Sequence, residues 1–125
     1  MNSPAPEGPS RPDAVARVLL AVEQVPDGCV ASYGDIGRVA GVGPRQVGAI
    51  MRDHGGSVAW WRITAHDGTL APLEKARPHW AAEGIEVRPD GRGCRMSAFR
   101  ADIGQLALDY TVAVAERGWD LTATS

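Results

Sequence analysis

Residues Pro44–Arg62, PRQVGAIMRDHGGSVAWWR, decide how this chain is read. Pro44 suits the first position of a helix, where its missing N–H costs nothing. Val47, Ile50 and Met51 follow at a spacing that turns them inward, and Arg45, Gln46, Ala49 and Arg52 are left on or near the outer face. Gly48 lowers helix propensity by about 1 kcal/mol, so its presence predicts a close approach to another backbone. Beyond the Gly55-Gly56 turn, Val58 to Thr64 reads as a strand. On a strand, Trp60 and Trp61 point to opposite faces, one into the core and the other toward a groove. An arginine-bearing helix beside adjacent tryptophans suits a ligand that is both polyanionic and flat. Nucleic acid received in an aromatic pocket meets that description.

The segments before it complete a helix-turn-helix. Asp13 is placed to cap a helix whose apolar face is Val15, Val18, Leu19 and Val22. Pro26-Asp27-Gly28 is a turn, and Cys29-Val30-Ala31 a short extended entry to the next element. Ser32 followed by Asp35 has the form of a capping box, predicting a helix from Tyr33 to Ala40 that stops at Gly41. Two short helices joined by a glycine turn make the motif. Downstream, His66-Asp67-Gly68 reads as a hairpin turn into Thr69-Leu70-Ala71, the wing of a winged helix. Pro72 opens a third helix, with Leu73, Ala76 and Trp80 inward and Gly84 as its stop. Ile85–Val87 and Cys94–Met96 read as a final small hairpin. Ala101–Trp119 reads as an amphipathic helix with Ile103, Leu106, Tyr110 and Val114 on its stripe.

A chain of 125 residues fits one domain. The reading divides it into a proline-rich tail at 1–12, expected to be disordered, a core domain at 13–101, and a helical extension at 102–125. No signal-peptide pattern and no membrane-length apolar run appears, and the two cysteines share no metal or redox spacing. A reduced, cytoplasmic, nucleoid-associated protein is expected, with neither membrane nor cofactor among its partners. The net charge of −2 does not announce a DNA binder. Its distribution is more informative. From Asp102 onward four acids face one base, whereas Arg38, Arg45, Arg52 and Arg62 outnumber Asp35 and Asp53 between Ser32 and Arg62.

Catalytic chemistry has little to stand on. Cys29 has no histidine near it in sequence, Cys94 lies in a weak hairpin, and His54, His66 and His79 lack ligand spacing, so no metal is expected. Most of these residues are read as structural.

The stretch VPDGCVASYGDIGRVAGVGPRQVGAIMR (Val25–Arg52), then AWWRIT (Ala59–Thr64) and the Asp67-Gly68 turn, resembles the DNA-binding domain of O6-alkylguanine-DNA alkyltransferases. That family shows a Gly-x-Val-x-Ser/Thr-Tyr-Gly segment, an Arg-x-Val-Gly-x-x-Met/Leu-Arg helix and a Pro-Cys-His-Arg-Val active-site strand. The match runs from about Asp13 to Met96. Trp60 stands where the reactive cysteine belongs and Trp61 where its activating histidine belongs. An indole offers no thiolate to accept an alkyl group. Tryptophan at the cysteine place marks the alkyltransferase-like proteins, and LEKARPHWAAEGIEV (Leu73–Val87) also resembles theirs.

The resemblance implies a winged helix-turn-helix, mainly α with a little β. It implies a non-enzymatic sensor that flips O6-alkylguanine out of double-stranded DNA and flags it for nucleotide-excision repair proteins. DNA contact falls to Ser32, Tyr33, Arg45, Gln46, Gly48, Ala49 and Arg52. Tyr33 presses on the target phosphate, and Arg45 enters the minor groove to fill the vacated stack. Tyr33, Ala59, Trp60, Trp61 and Arg62 form the lesion pocket, with Arg62 bracing it. The rival readings are an alkyltransferase using Cys29 or Cys94, a winged-helix transcription factor without lesion preference, and a decayed enzyme that only folds.

Overall fold

In the computed structural model, which describes residues 12–121, Asp13 caps helix α1 (Ala14–Glu23) by accepting the Ala16 N–H at 2.8 Å. The expected tail at 1–12 lies, apart from Pro12, outside the described residues. The buried face of α1 is Val18, Leu20, Ala21 and Val22; Val15 and Leu19, expected in the core, are only half-buried. Leu19 instead lines a shallow groove with Glu116, Arg117 and Trp119.

Ser32 and Asp35 do form the capping box of α2 (Tyr33–Ala40): each side chain accepts the other's backbone N–H at 3.0 Å. Burial pulls the Asp35 carboxyl upward, but Arg100 and Ser32 outweigh it and hold the group below the usual carboxylate range. Arg100 reaches it through Nη2 at 2.6 Å and Nε at 3.1 Å. Gly41 ends α2 in the left-handed conformation, and Pro44 opens α3 (Pro44–His54) at its first position.

The close backbone approach expected at Gly48 lies instead at Gly37. A Cβ on Gly48 would meet nothing within 4 Å, whereas one on Gly37 would sit 2.2 Å from the Val42 carbonyl oxygen. That contact sets how tightly the chain turns from α2 into α3, where Val42 N–H donates to Gly37 O at 2.9 Å.

The strand expected over Val58–Thr64 is mostly absent. Gly55–Ser57 and Trp60–Arg62 are 3₁₀ turns, and only Ile63–Thr64 is extended. This β2 lies parallel to β1 (Ala31–Ser32), in register Ala31 with Ile63. The expected alternation of Trp60 and Trp61 therefore fails, because a 3₁₀ turn does not send successive side chains to opposite faces.

The turn after β2 is tight: Gly68 N–H donates to Ala65 O at 2.9 Å and Ala65 N–H to Thr69 O at 2.9 Å. Its outer partner is not the chain just before it but Gly93, in an antiparallel bridge with Thr69. The expected pairing of Ile85–Val87 with Cys94–Met96 does not form, because Gly68 and Gly93 meet backbone to backbone. A Cβ on Gly93 would lie 2.0 Å from Gly68 O, and one on Gly68 2.0 Å from Cys94 O.

Helix α4 (Leu73–Glu83) follows, with Ala76 and Trp80 buried; a short α5 (Met96–Phe99), unforeseen from sequence, precedes α6 (Ile103–Glu116). Helix α6 packs on α1 and α2, and its stripe of Leu106, Tyr110 and Val114 joins their core. A second, smaller cluster gathers Val30, Leu70, Ala76, Trp80, Ile85 and Cys94, with Trp60 and Trp61 packed against it. No described helix is long and apolar enough to cross a membrane.

The two halves meet at Glu83. Its side chain, only 9% exposed, accepts Arg62 Nη2 at 2.6 Å and Nε at 3.0 Å. It also accepts the Trp61 indole N–H at 2.9 Å and the Gly28 N–H at 3.1 Å. Burial pulls this carboxyl upward; the hydrogen bonds from Arg62, Gly28 and Trp61 overcome it and lower it from 4.5 to about 2. Because the folded value lies below the unfolded one, its stabilising contribution is complete above pH 4.5 and is lost as pH falls toward about 2. Glu83→Gln should cost about 3 kcal/mol in urea unfolding at neutral pH. The gap between the variant and the parent protein should close between those pH values.

Candidate nucleic-acid interface

Helix α3 turns Val47 and Ile50 into the core and exposes Arg45, Gln46 and Arg52. The Arg52 Nε lies 3.5 Å from Asp53 Oδ1, with both side chains largely in solvent. Such a pair contributes little and is readily exchanged for another anion. Beside α3 opens a cavity of about 650 Å³. Tyr33, Arg45, Gly48, Ala49, Arg52 and Trp60, all anticipated from sequence, line it together. Tyr33 stands at the first position of α2, half-buried against the core. Burial raises its phenol, so it remains a neutral O–H donor at neutral pH.

Trp60 is held from behind. Its ring meets Trp61 edge to face at 5.9 Å and 85°, and His79 at 5.9 Å and 79°. Trp61 lies flat on His79, 3.7 Å between centroids and 7° between planes. The Trp61 carbonyl accepts the Trp80 indole N–H at 2.6 Å. Arg62 donates to Glu83, to Val25 O at 3.0 Å and to the Asp27 carboxylate. Trp61 and Arg62 thus form the frame behind Trp60, the bracing position expected of Arg62; Trp61 and Ala59, expected in the pocket, are not among the residues that line the cavity. Ser32 is spent on the capping box and Gln46 lies outside the cavity.

Sequence reasoning missed Met51, Gly55, Gly56, Ile63, Leu70, Ala71, Pro72 and Lys75, which complete the lining. Met51, expected inward, is half-buried and serves both core and cavity. The return of Leu70–Lys75 against α3 depends on the Gly68–Gly93 contact, for which no local signal exists. The charged lining is cationic throughout, with Arg45, Arg52 and Lys75 and no carboxylate. Neither cysteine lines the cavity, and burial pushes the Cys94 thiol up, away from the nucleophilic thiolate. Among the described residues no three of His, Cys, Asp and Glu come together to hold a metal ion.

Helix-turn-helix, short parallel β pair and flanking cationic cavity define a DNA-binding domain of the alkyltransferase type. The family model for the 6-O-methylguanine DNA methyltransferase DNA-binding domain matches residues 13–85, and the chain belongs to that family as an alkyltransferase-like member. It is 32% identical over 84 residues to the DNA base-flipping protein of Escherichia coli K12, covering 61% of this chain and 65% of that one. The DNA base-flipping protein of Vibrio parahaemolyticus is 28% identical over 86 residues, spanning 62% of this chain and 86% of the relative. The fold matches that of S. pombe Atl1 in complex with damaged DNA containing O6-carboxymethylguanine, with a TM-score of 0.63 and 24% identity over 71% of this chain and 94% of the other. A second crystal structure, S. pombe ATL in complex with DNA, gives a TM-score of 0.59 and 26% identity over 70% and 94%.

The geometry separates recognition residues from framing residues. Arg45→Ala and Arg52→Ala should each leave unfolding free energy within about 0.5 kcal/mol of the parent protein. Trp61→Ala, which removes the His79 stack and a Glu83 donor, should cost about 3 kcal/mol. Urea titration of the three variants checks the division.

Proposed function

We propose that this protein is a non-enzymatic reader of alkylation damage: it binds duplex DNA, flips O6-alkylguanine into the cavity beside α3, and marks it for nucleotide-excision repair. The observation that carries the reading is the cavity itself, where Trp60 stands among Tyr33, Arg45 and Arg52 with no cysteine, histidine or carboxylate in the lining. Apolar and aromatic walls suit an alkylated base, while the arginines suit the phosphates around it. Without thiolate or base, the cavity holds the lesion and leaves it chemically intact.

Unstacking a base costs a few kcal/mol. Arg45, exposed near the start of α3, is placed to enter the duplex and occupy the vacated position. Tyr33, a neutral donor at the first position of α2, is placed to hold the displaced phosphate. Trp60 offers the alkyl group an apolar face, giving a gain that unmodified guanine shares only in part. Gln46, Gly48 and Ala49 contribute surface along the backbone of the duplex, buried Ser32 holds the start of α2, and with it Tyr33, through the capping box, and Ala59, Trp61 and Arg62 keep Trp60 in position. The protein works on chromosomal DNA in the cytoplasm, and repair proteins respond to the complex it makes.

Equilibrium binding to two duplexes identical except for one O6-methylguanine, at a stated salt concentration, tests the reading. The modified duplex should bind at least about tenfold more tightly, equivalent to roughly 1.4 kcal/mol. Arg45→Ala should remove most of that preference without altering the fold. Equal affinity for both duplexes sinks the sensor and favours a transcription factor of this fold. Mass spectrometry after incubation should show no alkyl mass on the protein. Trp60→Cys should also remain unmodified, since Trp61 supplies no base; alkylation at Cys29 or Cys94 of the parent protein would instead identify an enzyme.

A further inference from the structure

Among the described residues, the large apolar side chains left in solvent lie together: Leu108 is 62% exposed, Val112 57% and Leu121 45%, on α6 or just beyond its end. Gly104, Leu108, Val112 and Ala115 recur at intervals of three and four, so they form one exposed stripe without a charge. A helix that only covered a core would carry charged and polar groups on that side. The opposite side of α6 already buries Leu106, Tyr110 and Val114. One further interval of four leads from Val112 to Glu116, at a groove of about 570 Å³ lined by α1 and the end of α6. Half-buried Leu19 and Trp119 give this groove an apolar lining, and Glu23 and Glu116 an acidic one. Its one base, Arg117, is engaged by Glu23 at 3.3 Å and by the Trp119 ring at 5.7 Å. No residue of α1 or α6 lines the cavity beside α3, and α6 lies beyond residues 13–85, the part that the family model matches. A contiguous exposed apolar patch with a polar rim marks an interaction site.

We infer that the outer face of α6 and the adjoining groove dock an amphipathic helix of a partner protein, one whose apolar stripe is flanked by lysine or arginine. This rests on the lesion-reading function and gives the surface from which the bound complex is read. Charge selects the occupant. From Asp102 onward four acids stand against one base, so nucleic acid and anionic lipid are repelled here. A second copy of the chain, related by a twofold axis, would set Glu23 and Glu116 against the same patch, like charge on like charge. A basic amphipathic helix meets both features of the surface. Its apolar residues cover Leu108, Val112 and Leu19, and its cations face Glu116. Proteins that act on DNA carry basic segments of this kind. Because α1 and α6 stay out of the cavity lining, one chain can hold the duplex and the partner together.

The test is a titration of the isotope-labelled full chain, free of DNA, with three synthetic peptides of about 18 residues, five helical turns, followed by amide chemical shifts. The first peptide places leucines on one face and lysines along its flanks. The second scrambles that composition, and the third replaces lysine by glutamate. The first should bind at least about tenfold more tightly than either of the others, shifting amides at Leu19, Val112 and Glu116. Leu108→Ser combined with Val112→Ser should weaken it by about tenfold or more, and Glu116→Lys should weaken it and flatten its salt dependence. Equal affinity for the scrambled or the glutamate peptide overturns the proposal, as do shifts centred elsewhere or an affinity that survives the double substitution. So does sedimentation that finds a dimer dissolved by the double substitution, which makes a second copy the occupant. These substitutions alter exposed side chains, so circular dichroism should find both variants folded. Their preference for the O6-methylguanine duplex should equal the parent's; an absent preference in the parent protein counts against the lesion reading alone and leaves the peptide result readable.

Discussion

One carboxylate holds the two halves of this molecule together. Glu83, at the end of α4, accepts hydrogen bonds from the turn after α1 at Gly28, and from Trp61 and Arg62 in the aromatic 3₁₀ turn. A buried charge is tolerated only when it is paired and its remaining lone pairs are satisfied. Here the donors come from two separate segments, so satisfying the charge also fixes their positions relative to each other and to α4. Arg62 extends the tie to Val25 O and Asp27. The shape of the turn that presents Trp60 follows from these contacts and not from β propensity.

The cavity lies where the two apolar clusters meet. Tyr33 and Met51 pack against the larger one, built by α1, α2, α3 and α6; Trp60 packs on the smaller one, around Trp80, to which Leu70 belongs. A concavity at such a junction needs no hole in either core, and each cluster keeps its own close packing. Asp35 anchors the other side. It caps α2 and binds Arg100, linking the first turn of that helix, and hence Tyr33, to the segment that leads into α6.

How much of this was legible in the sequence varies with the range of the force involved. The helix ends were readable because their determinants are local: Asp13, Ser32 with Asp35, Pro44, and the glycines at 41 and 84 act on their own neighbours. The alkyltransferase-type motifs alone bring Tyr33, Arg45, Arg52 and Trp60 to one site. What could not be read were contacts between distant segments. Val58–Arg62 has strand-forming residues, but the hydrogen bond its Trp61 indole donates to Glu83 and the one its Trp61 carbonyl accepts from Trp80, about 20 residues away, hold it in turns. Gly37 and Gly48 look alike in sequence, yet only Gly37 has a carbonyl pressed against it. Likewise, Trp61 and Arg62 adjoin Trp60 along the chain but turn toward Glu83, while Leu70–Lys75 returns to the cavity through a pairing with Gly93.

The arrangement of the indoles also gives the protein an internal optical probe. Of its four tryptophans, Trp60 alone lines the cavity beside α3; Trp80 is fully buried, Trp61 lies flat on an imidazole, and Trp119 faces a groove at the far end of α1. The other three do not line the cavity, although Trp61 meets the Trp60 ring edge to face. The one indole that lines the cavity thus gives intrinsic emission a direct view of that space, in the native protein and without an attached dye.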